Sequence, residues 1–505
     1  MEFDLLVVGG GVNGAGIARD AAGRGLSVLL VEQNDLASAT SSASTKLVHG
    51  GLRYLEYYEF RLVREALEER ETLLAMAPHI IWPLRFVLPH AHATRPAWLV
   101  RMGLFLYDHL GGRRRLPGSR GLGLKGALEG ASLQPEYRKA FVYSDCWVDD
   151  ARLVTLNAMD ARERGAVVET RTKLVSARRI GTAWEARLQP ENGPERLVRA
   201  RAIVNAAGPW VSEVLSGALN VARGSGTRLI KGSHIVVPRL FDGEHAYMLQ
   251  NPDRRIVFAI PYEDRFTLVG TTDVAWDAPP GPARISGEEV DYLCQSLNRY
   301  FTKQTTAADV AWSYAGVRPL FDDHADNASA VTRDYVLEVD APEGSAPVLS
   351  VFGGKITTYR RLADQALNRL AAFFPDAGPS WTRSAVLPGG DLPDLDRAAL
   401  ARTLRAEFPF LPEDMASRLA RAYGTRARRI LAGATNLADL GEAFGAGLHA
   451  AEVDYLTTEE WARTAEDILY RRSKLGLHLP REGVARLEAY LSGKAAAPPM
   501  RALEA

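Results

Sequence analysis

Gly9-x-Gly11-x-x-Gly14 limits the folds open to this chain more than any other feature of it. An apolar run, Phe3 to Val8, leads into it, and an alanine-rich stretch with a helical apolar stripe, Val12 to Gly23, follows. A second strand-like run, Ser27 to Val31, ends at Glu32. Strand, glycine turn, helix and strand in that order predict a βαβ unit. The three glycines suit a tight turn, close approach of a pyrophosphate to the backbone, and close packing of helix on strand. The helix N-terminus adds N–H groups and the positive end of its dipole. Glu32, about 20 residues on, is placed to bind a ribose hydroxyl. Context carries the argument, because Gly121-Leu122-Gly123-Leu124-Lys125-Gly126 fits the same pattern. That second match has no strand before it and no acidic partner, lies among arginines, and reads as loop. No second well-placed fingerprint exists for a nicotinamide. The expected dinucleotide is therefore a flavin, reduced by a substrate bound directly to the protein.

Length and patterning frame the rest. A chain of 505 residues exceeds one simple core, so two or three domains are expected. Phe60 to Met76 carries the stripe of an amphipathic helix in Leu62, Val63, Ala66, Leu67 and Leu73. Arg113 to Gly130, rich in glycine and arginine, reads as loop. Ser233 to Val237 reads as a strand, and Arg255 to Pro261 with Phe266 to Thr271 as a hairpin around Glu263-Asp264. These runs predict an antiparallel sheet inserted into an α/β framework. Beyond Leu387-Pro388-Gly389-Gly390 the pattern turns helical to the end. Basic and acidic residues number 61 each, so net charge points to no partner, and no nucleic acid is expected. Cys146 and Cys294 form neither a disulfide framework nor a metal-ligand pattern, and no metal is expected. No run of about 18 apolar residues predicts a membrane span. The start lacks the features of a secretory signal, so the expected place is the cytoplasm or a surface facing it.

One segment narrows the flavin reading to a family. Thr40-Ser41-Ser42-Ala43-Ser44-Thr45-Lys46-Leu47-Val48-His49-Gly50-Gly51-Leu52-Arg53-Tyr54-Leu55 resembles the signature of the FAD-dependent, quinone-reducing sn-glycerol-3-phosphate dehydrogenases. Further blocks agree in order: the run Tyr143 to Arg152, Asn205-Ala206-Ala207-Gly208-Pro209-Trp210, Lys231-Gly232-Ser233-His234, Gly270-Thr271-Thr272-Asp273, Gly316-Val317-Arg318-Pro319, and the run Ser350 to Tyr359. The resemblance covers nearly the whole chain. It implies a glycine-oxidase-like α/β flavoprotein: a Rossmann-like FAD-binding domain from segments 1–85, 140–230 and 325–385, an inserted antiparallel-sheet substrate domain from 86–139 and 231–324, and a helical C-terminal domain from 386–505.

The cofactor residues expected on this basis are Gly9, Gly11, Asn13, Gly14 and Glu32 in the fingerprint. They continue with Thr40, Ser41, Ser42, Ser44, Lys46, His49, Gly50 and Gly51, whose hydroxyls and glycine backbone suit pyrophosphate and ribityl contacts. Ala207 and Gly208 resemble a second flavin-side turn. Gly353 and Gly354, with Lys355, Ile356 and Thr357, precede a helix-like run from Ile356 that could aim N–H groups at the flavin ring. A substrate such as glycerol 3-phosphate, with roughly two negative charges, calls for cations. Arg53, Arg318, Arg333 and Lys355 are the basic residues in or beside the blocks, with Tyr54 and Thr271 as hydroxyl donors. His234 is the candidate for the base that takes the substrate's hydroxyl proton, and Arg318 the electrostatic alternative. Electrons are expected to pass to a membrane quinone; an oxygen-using glycerol-3-phosphate oxidase, an amino-acid oxidase and a non-catalytic flavin-binding scaffold at the membrane surface are the competing readings. A homodimer is among the expected assemblies. Between His79 and Lys125 the only acid is Asp108, against seven arginines and Lys125 interleaved with Trp82, Phe86, Trp98, Met102, Phe105 and Tyr107. That mixture predicts a segment resting on the inner face of the cell membrane.

Overall fold

The computed structural model describes residues 1–90, 96–112, 115–222, 226–322 and 334–496. The chain divides into two compact units, Met1–Leu387 and Pro388–Ala505. Within the first, it passes back and forth between two sheets. It opens with β1 (Glu2–Val8), α1 (Val12–Gly23) and β2 (Val28–Val31), then leaves through α2 (Phe60–Met76) for β3 (Ile81–His90), α3 (Ala97–Leu110) and β4 (Lys139–Val148). It returns by α4 (Asp150–Glu163), β5 (Val167–Glu169) and β6 (Arg196–Asn205). A second excursion supplies β7 (Gly226–Pro238), β8 (Phe266–Gly270), α5 (Gly287–Tyr300) and β9 (Trp312–Asp322), before β10 (Val348–Phe352) and α6 (Tyr359–Arg369) close the circuit.

Among the described residues the first sheet has eight strands, and β10, β6, β1, β2 and β5 lie parallel in that order. Leu5 to Val8 and Val28 to Val31 are buried on both faces, which is why they read as continuous apolar runs instead of alternating ones. α1 packs against α4 and α6, and its small residues are what allow this. A Cβ on Gly16 would come within 2.7 Å of the Tyr359 ring. Arg19, inside that alanine-rich helix, is fully buried and pairs with Asp160 of α4 at 2.5 Å.

The second sheet has ten strands among the described residues. β7 pairs antiparallel with β8 on one side and β9 on the other. One face is sealed by α5, with Leu293, Leu297 and Tyr300 against Val87, Ile235, Val257 and Val269. The expected hairpin runs from Ile256–Tyr262 into β8, and both Glu263 and Asp264 take left-handed backbone at its tip. Two expectations are corrected. Gly121 and Gly123, read as loop, belong to a short strand, Arg120–Gly123, on the edge of β4; ladder bonds to Lys139–Val142 decide what periodicity there does not. β4 also pairs along its length with β3, so the second sheet takes in residues on the far side of the divisions expected at 85/86 and 139/140.

The second unit is mainly helical, with Arg397–Glu407, Glu413–Tyr423, Ala450–Glu459 and Arg481–Ala496 and one small two-stranded ladder. Its buried Glu452 pairs with half-buried Arg418 at 2.6 Å, and the Tyr423 hydroxyl donates to the same carboxylate at 2.6 Å.

Candidate active site

At the carboxyl ends of β1, β2 and β6 lies a cavity whose walls include Gly9, Gly11, Glu32, Ser41, Ala207 and Gly208. This is the edge where parallel α/β sheets bind ligands. The fingerprint glycines serve distinct purposes. A Cβ on Gly14 would sit 1.9 Å from the Gly9 carbonyl, and one on Gly9 2.5 Å from the Ala206 carbonyl, so both are demanded by the fold. Among the described residues a Cβ on Gly11 would meet only the Ser41 Oγ, at 3.1 Å. Gly11 is thus the glycine that keeps the cavity open. It is also the cap residue of α1 and offers no side chain to cover the helix terminus. Glu32 accepts N–H groups from Gly10 at 2.7 Å and Asn34 at 2.8 Å. Burial raises its pKa, and those two donors oppose the shift. Asn13 donates to the Gly353 carbonyl at 3.1 Å while its Oδ1 is buried without a partner among the described residues. An open glycine cradle and an orphaned acceptor fit a bound dinucleotide.

The loop after β2 is held mostly by its own hydroxyls. Ser41 Oγ accepts the Val12 N–H, Thr40 Oγ1 donates to the Val317 carbonyl at 2.6 Å, and Ser44 Oγ donates to Asp150 at 2.7 Å. Ser42 Oγ turns back on the Ala39 carbonyl. Lys46 is 1 % exposed, with its ammonium against both Asp150 oxygens at 2.8 and 2.9 Å. Its charge therefore fastens the loop to α4, a role the sequence reading did not give it. His49 is half-buried; desolvation lowers its pKa, the Asp145 carboxylate opposes this, and Lys355 adds to it. Thr357 meets the His49 backbone on both sides, accepting its N–H at 3.3 Å and donating to its carbonyl at 3.4 Å. Gly353 and Gly354 have positive φ, 76° and 102°. The helix begins at Tyr359, not at Ile356, and Lys355 to Thr358 form a turn before it. The glycine pair is therefore set off from the helix terminus by one turn.

The second sheet brings side chains to the same region. His234 on β7 lies between Gly270 and Tyr314 in the ladder and stacks on the Tyr314 ring, centroids 4.7 Å apart. Its Nε2 is 2.9 Å from Thr45 Oγ1, and its buried Nδ1 has no partner among the described residues. Burial, with Lys46 and Arg318 nearby, pushes its pKa down to about 3, so the imidazole is neutral. Arg318 on β9 donates to Asp273 at 2.6 Å and to the Thr272 carbonyl at 3.1 Å. Gly232 makes room for it: a Cβ there would stand 2.5 Å from the guanidinium and 2.8 Å from Thr271 Oγ1. Arg318 and Thr271 are thereby brought together. Lys355 places its ammonium 4.3 Å from the Tyr54 ring centroid, and Arg53 reaches Tyr57 at 3.5 Å. Arg333 lies outside the described residues.

Glu289 escaped the sequence reading. From the first turn of α5 it accepts from Ser233 at 2.8 Å, Thr272 at 2.7 Å and Lys231 at 2.8 Å. Burial alone would raise its pKa; these donors, with the Ser286 N–H, more than offset that and hold it low. It fastens the segment of His234 to the turn of Thr271. Only the capping pattern Ser286-x-x-Glu289 marked the residue in the sequence, and that predicts a helix start, which it also is.

Residues 4–360 match the family described as FAD dependent oxidoreductase, and residues 380–492 that described as the C-terminal domain of alpha-glycerophosphate oxidase. A glycerol-3-phosphate dehydrogenase from Pseudomonas aeruginosa is 58% identical over 97% of this chain and 95% of its own. A D-erythritol 1-phosphate dehydrogenase from Brucella abortus is 56% identical over 94% and 95%. Among solved structures, the glycerol-3-phosphate dehydrogenase from Bacillus halodurans complexed with FAD has a TM-score of 0.75 at 28% identity and covers 100% of this chain and 97% of that one. A glycine oxidase from Geobacillus kaustophilus shares the fold, with a TM-score of 0.56 at 19% identity over 76% of this chain and 98% of its own. The chain is an FAD-dependent enzyme of the glycerol-3-phosphate dehydrogenase family.

Proposed function

We propose that this enzyme oxidises sn-glycerol 3-phosphate to dihydroxyacetone phosphate and passes the electrons to a membrane quinone. The observation that carries the reading is the meeting of Arg318 and Thr271 at Gly232, next to a buried neutral histidine. Arg318, with Lys355 and Arg53, binds the phosphate, for which forked guanidinium donors are suited. Bound FAD supplies the acceptor for the hydride from substrate C2. His234 takes the hydroxyl proton. With Nε2–H donated to Thr45, the lone pair of Nδ1 is the available acceptor. A phosphate dianion nearby raises the low pKa of the imidazole and so strengthens it as a base. Arg318 additionally stabilises negative charge developing on the oxygen.

The acceptor reading rests on α3. Trp98, Met102 and Phe105, at spacings of one helical ridge, are 68%, 49% and 54% exposed. Arg101 lies within the same helix, bound to Ser119, and Arg115 and Arg120 follow in exposed positions. Aromatic residues rimmed by arginine suit the headgroup layer, and no helix among the described residues is long and apolar enough to cross a membrane. We place this face on the inner surface of the cell membrane, where a lipid-soluble acceptor is at hand.

Mixing the purified yellow protein anaerobically with sn-glycerol 3-phosphate tests the reaction. Rapid bleaching is expected; unchanged colour would reject the substrate. The Brucella relative's name makes D-erythritol 1-phosphate the comparison to run beside it, and faster bleaching by that compound would reassign the polyol. Peroxide accumulating at the rate of turnover in air would replace the quinone with oxygen.

A further inference from the structure

α3 has a second face. Opposite the exposed ridge it buries Leu104 and Tyr107. The Tyr107 hydroxyl lies 2.8 Å from both oxygens of Asp145 and 2.8 Å from the backbone nitrogen of Gly50. A phenol has one proton, so the directions follow: Gly50 N–H donates to Tyr107, and Tyr107 donates to the carboxylate. Burial, then the Asp145 charge, push the phenol pKa well up, which keeps that proton in place. Asp145 on β4 is 2 % exposed and is gripped from α2 by Arg70 at 2.8 Å, which also donates to the Ser144 carbonyl at 2.9 Å. Apolar packing repeats the connection. Leu67 of α2 stands where a Cβ on Gly50 would come within 2.4 Å and one on Gly111, at the end of α3, within 2.1 Å. Three elements of the second sheet region thus converge on one N–H of the His49–Gly51 turn. Desolvating a carboxylate–guanidinium pair is costly, and packing alone would not need it.

We propose that Tyr107 and Asp145 are positioning residues: through the Gly50 N–H they fix the Gly50–Gly51 turn, and with it the place of Arg53 and Tyr54. α3 and the substrate loop are then one mechanical unit, so the helix with the exposed apolar ridge also sets the geometry of phosphate binding. This rests on the assignment of Arg53 and Tyr54 to the substrate.

Tyr107→Phe in the FAD-loaded full chain tests it, with Tyr143→Phe as control. Tyr143 is equally buried and its ring lies edge-on to Tyr107 at 5.9 Å, but its hydroxyl meets Met248 Sδ at 3.3 Å. Tyr107→Phe should raise KM for sn-glycerol 3-phosphate about tenfold, with kcat changed less than about twofold. It should also quicken hydrogen exchange in the peptide carrying Gly50 and shift the visible circular dichroism of bound FAD. Asp145→Asn should give the same pattern, and the double variant should be no worse than the worse single one. KM, exchange and dichroism all matching the wild type in Tyr107→Phe would overturn the proposal, as would the same changes in Tyr143→Phe. If the wild type does not act on glycerol 3-phosphate, the substrate reading fails on its own, and exchange at Gly50 with flavin dichroism still decides the positioning role.

Discussion

At the end of β1 the first sheet presents backbone. Gly9, Gly11 and Gly14 shape the cradle, and Glu32 answers mainly to N–H groups. The second sheet presents side chains: His234 steered by Thr45, Arg318 by Asp273, and the turn of Thr271 by Glu289. A site made of backbone is ruined by an added carbon and is indifferent to distant charges. A site made of side chains tolerates small changes in packing and fails when one partner is lost. The contrast predicts different failures for the two halves.

The largest effect is expected at Gly11. Gly11→Val places its side chain in the open cradle, close to Ser41 Oγ, so the protein should fold but purify nearly free of flavin and inactive. Gly14→Val, with its Cβ 1.9 Å from the Gly9 carbonyl, should instead lower soluble yield and melting temperature. Absorbance ratios and melting curves separate the two; a yellow Gly11→Val protein would erase the distinction.

Next come Arg318→Ala and Lys355→Ala. Each should keep its FAD and lose about a hundred- to a thousandfold in kcat/KM. Flavin loss in either variant would mean that the two halves are not separable. A smaller effect concerns pH. Burial holds the folded pKa of His234 at about 3 and lowers those of His49 and His245. The unfolded chain, with histidines near 6.5, therefore binds protons first as pH falls below that value, and folding loses up to about 1.4 kcal/mol per pH unit per histidine. Melting temperature should drop between pH 7 and pH 5, and His234→Gln should flatten part of the slope. The smallest effect on turnover is expected from Trp98→Ser with Phe105→Ser. Activity with a soluble dye should stay unchanged while binding to anionic vesicles weakens, and full vesicle binding would remove α3 from the membrane contact.

The same contrast explains what could be read from residues alone. Backbone sites announce themselves locally: strand, glycines, helix and acid lie within Phe3 to Glu32, and the boundaries of α1 and α2 follow from their stripes. The paired hairpin strands were legible for the same reason. Side-chain sites do not announce themselves. Asp145 and Asp150 sat inside motif blocks without a visible duty, and the tie from Lys46, expected at the cofactor, to a carboxylate 104 residues away had no local sign. Tyr107, expected among the membrane-facing aromatics of an arginine-rich segment, is instead buried and bonded to Asp145. The edge strand Arg120–Gly123 was hidden because its glycines mimic a loop and its partner supplies the ladder.

The hydrogen bond from Asn13 to the Gly353 carbonyl spans 340 residues of chain. During synthesis the glycine cradle is among the first parts to emerge, yet the turn that closes it is among the last of its unit. At roughly 5–20 residues per second, that interval is roughly 17 to 70 seconds. β1 waits as well, since its neighbour β6 lies about two hundred residues downstream. For that time the apolar edge of β1 and the empty cradle stand exposed. The complete cradle, with Gly353 closing on Asn13, exists only once residues more than three hundred positions apart have both been made.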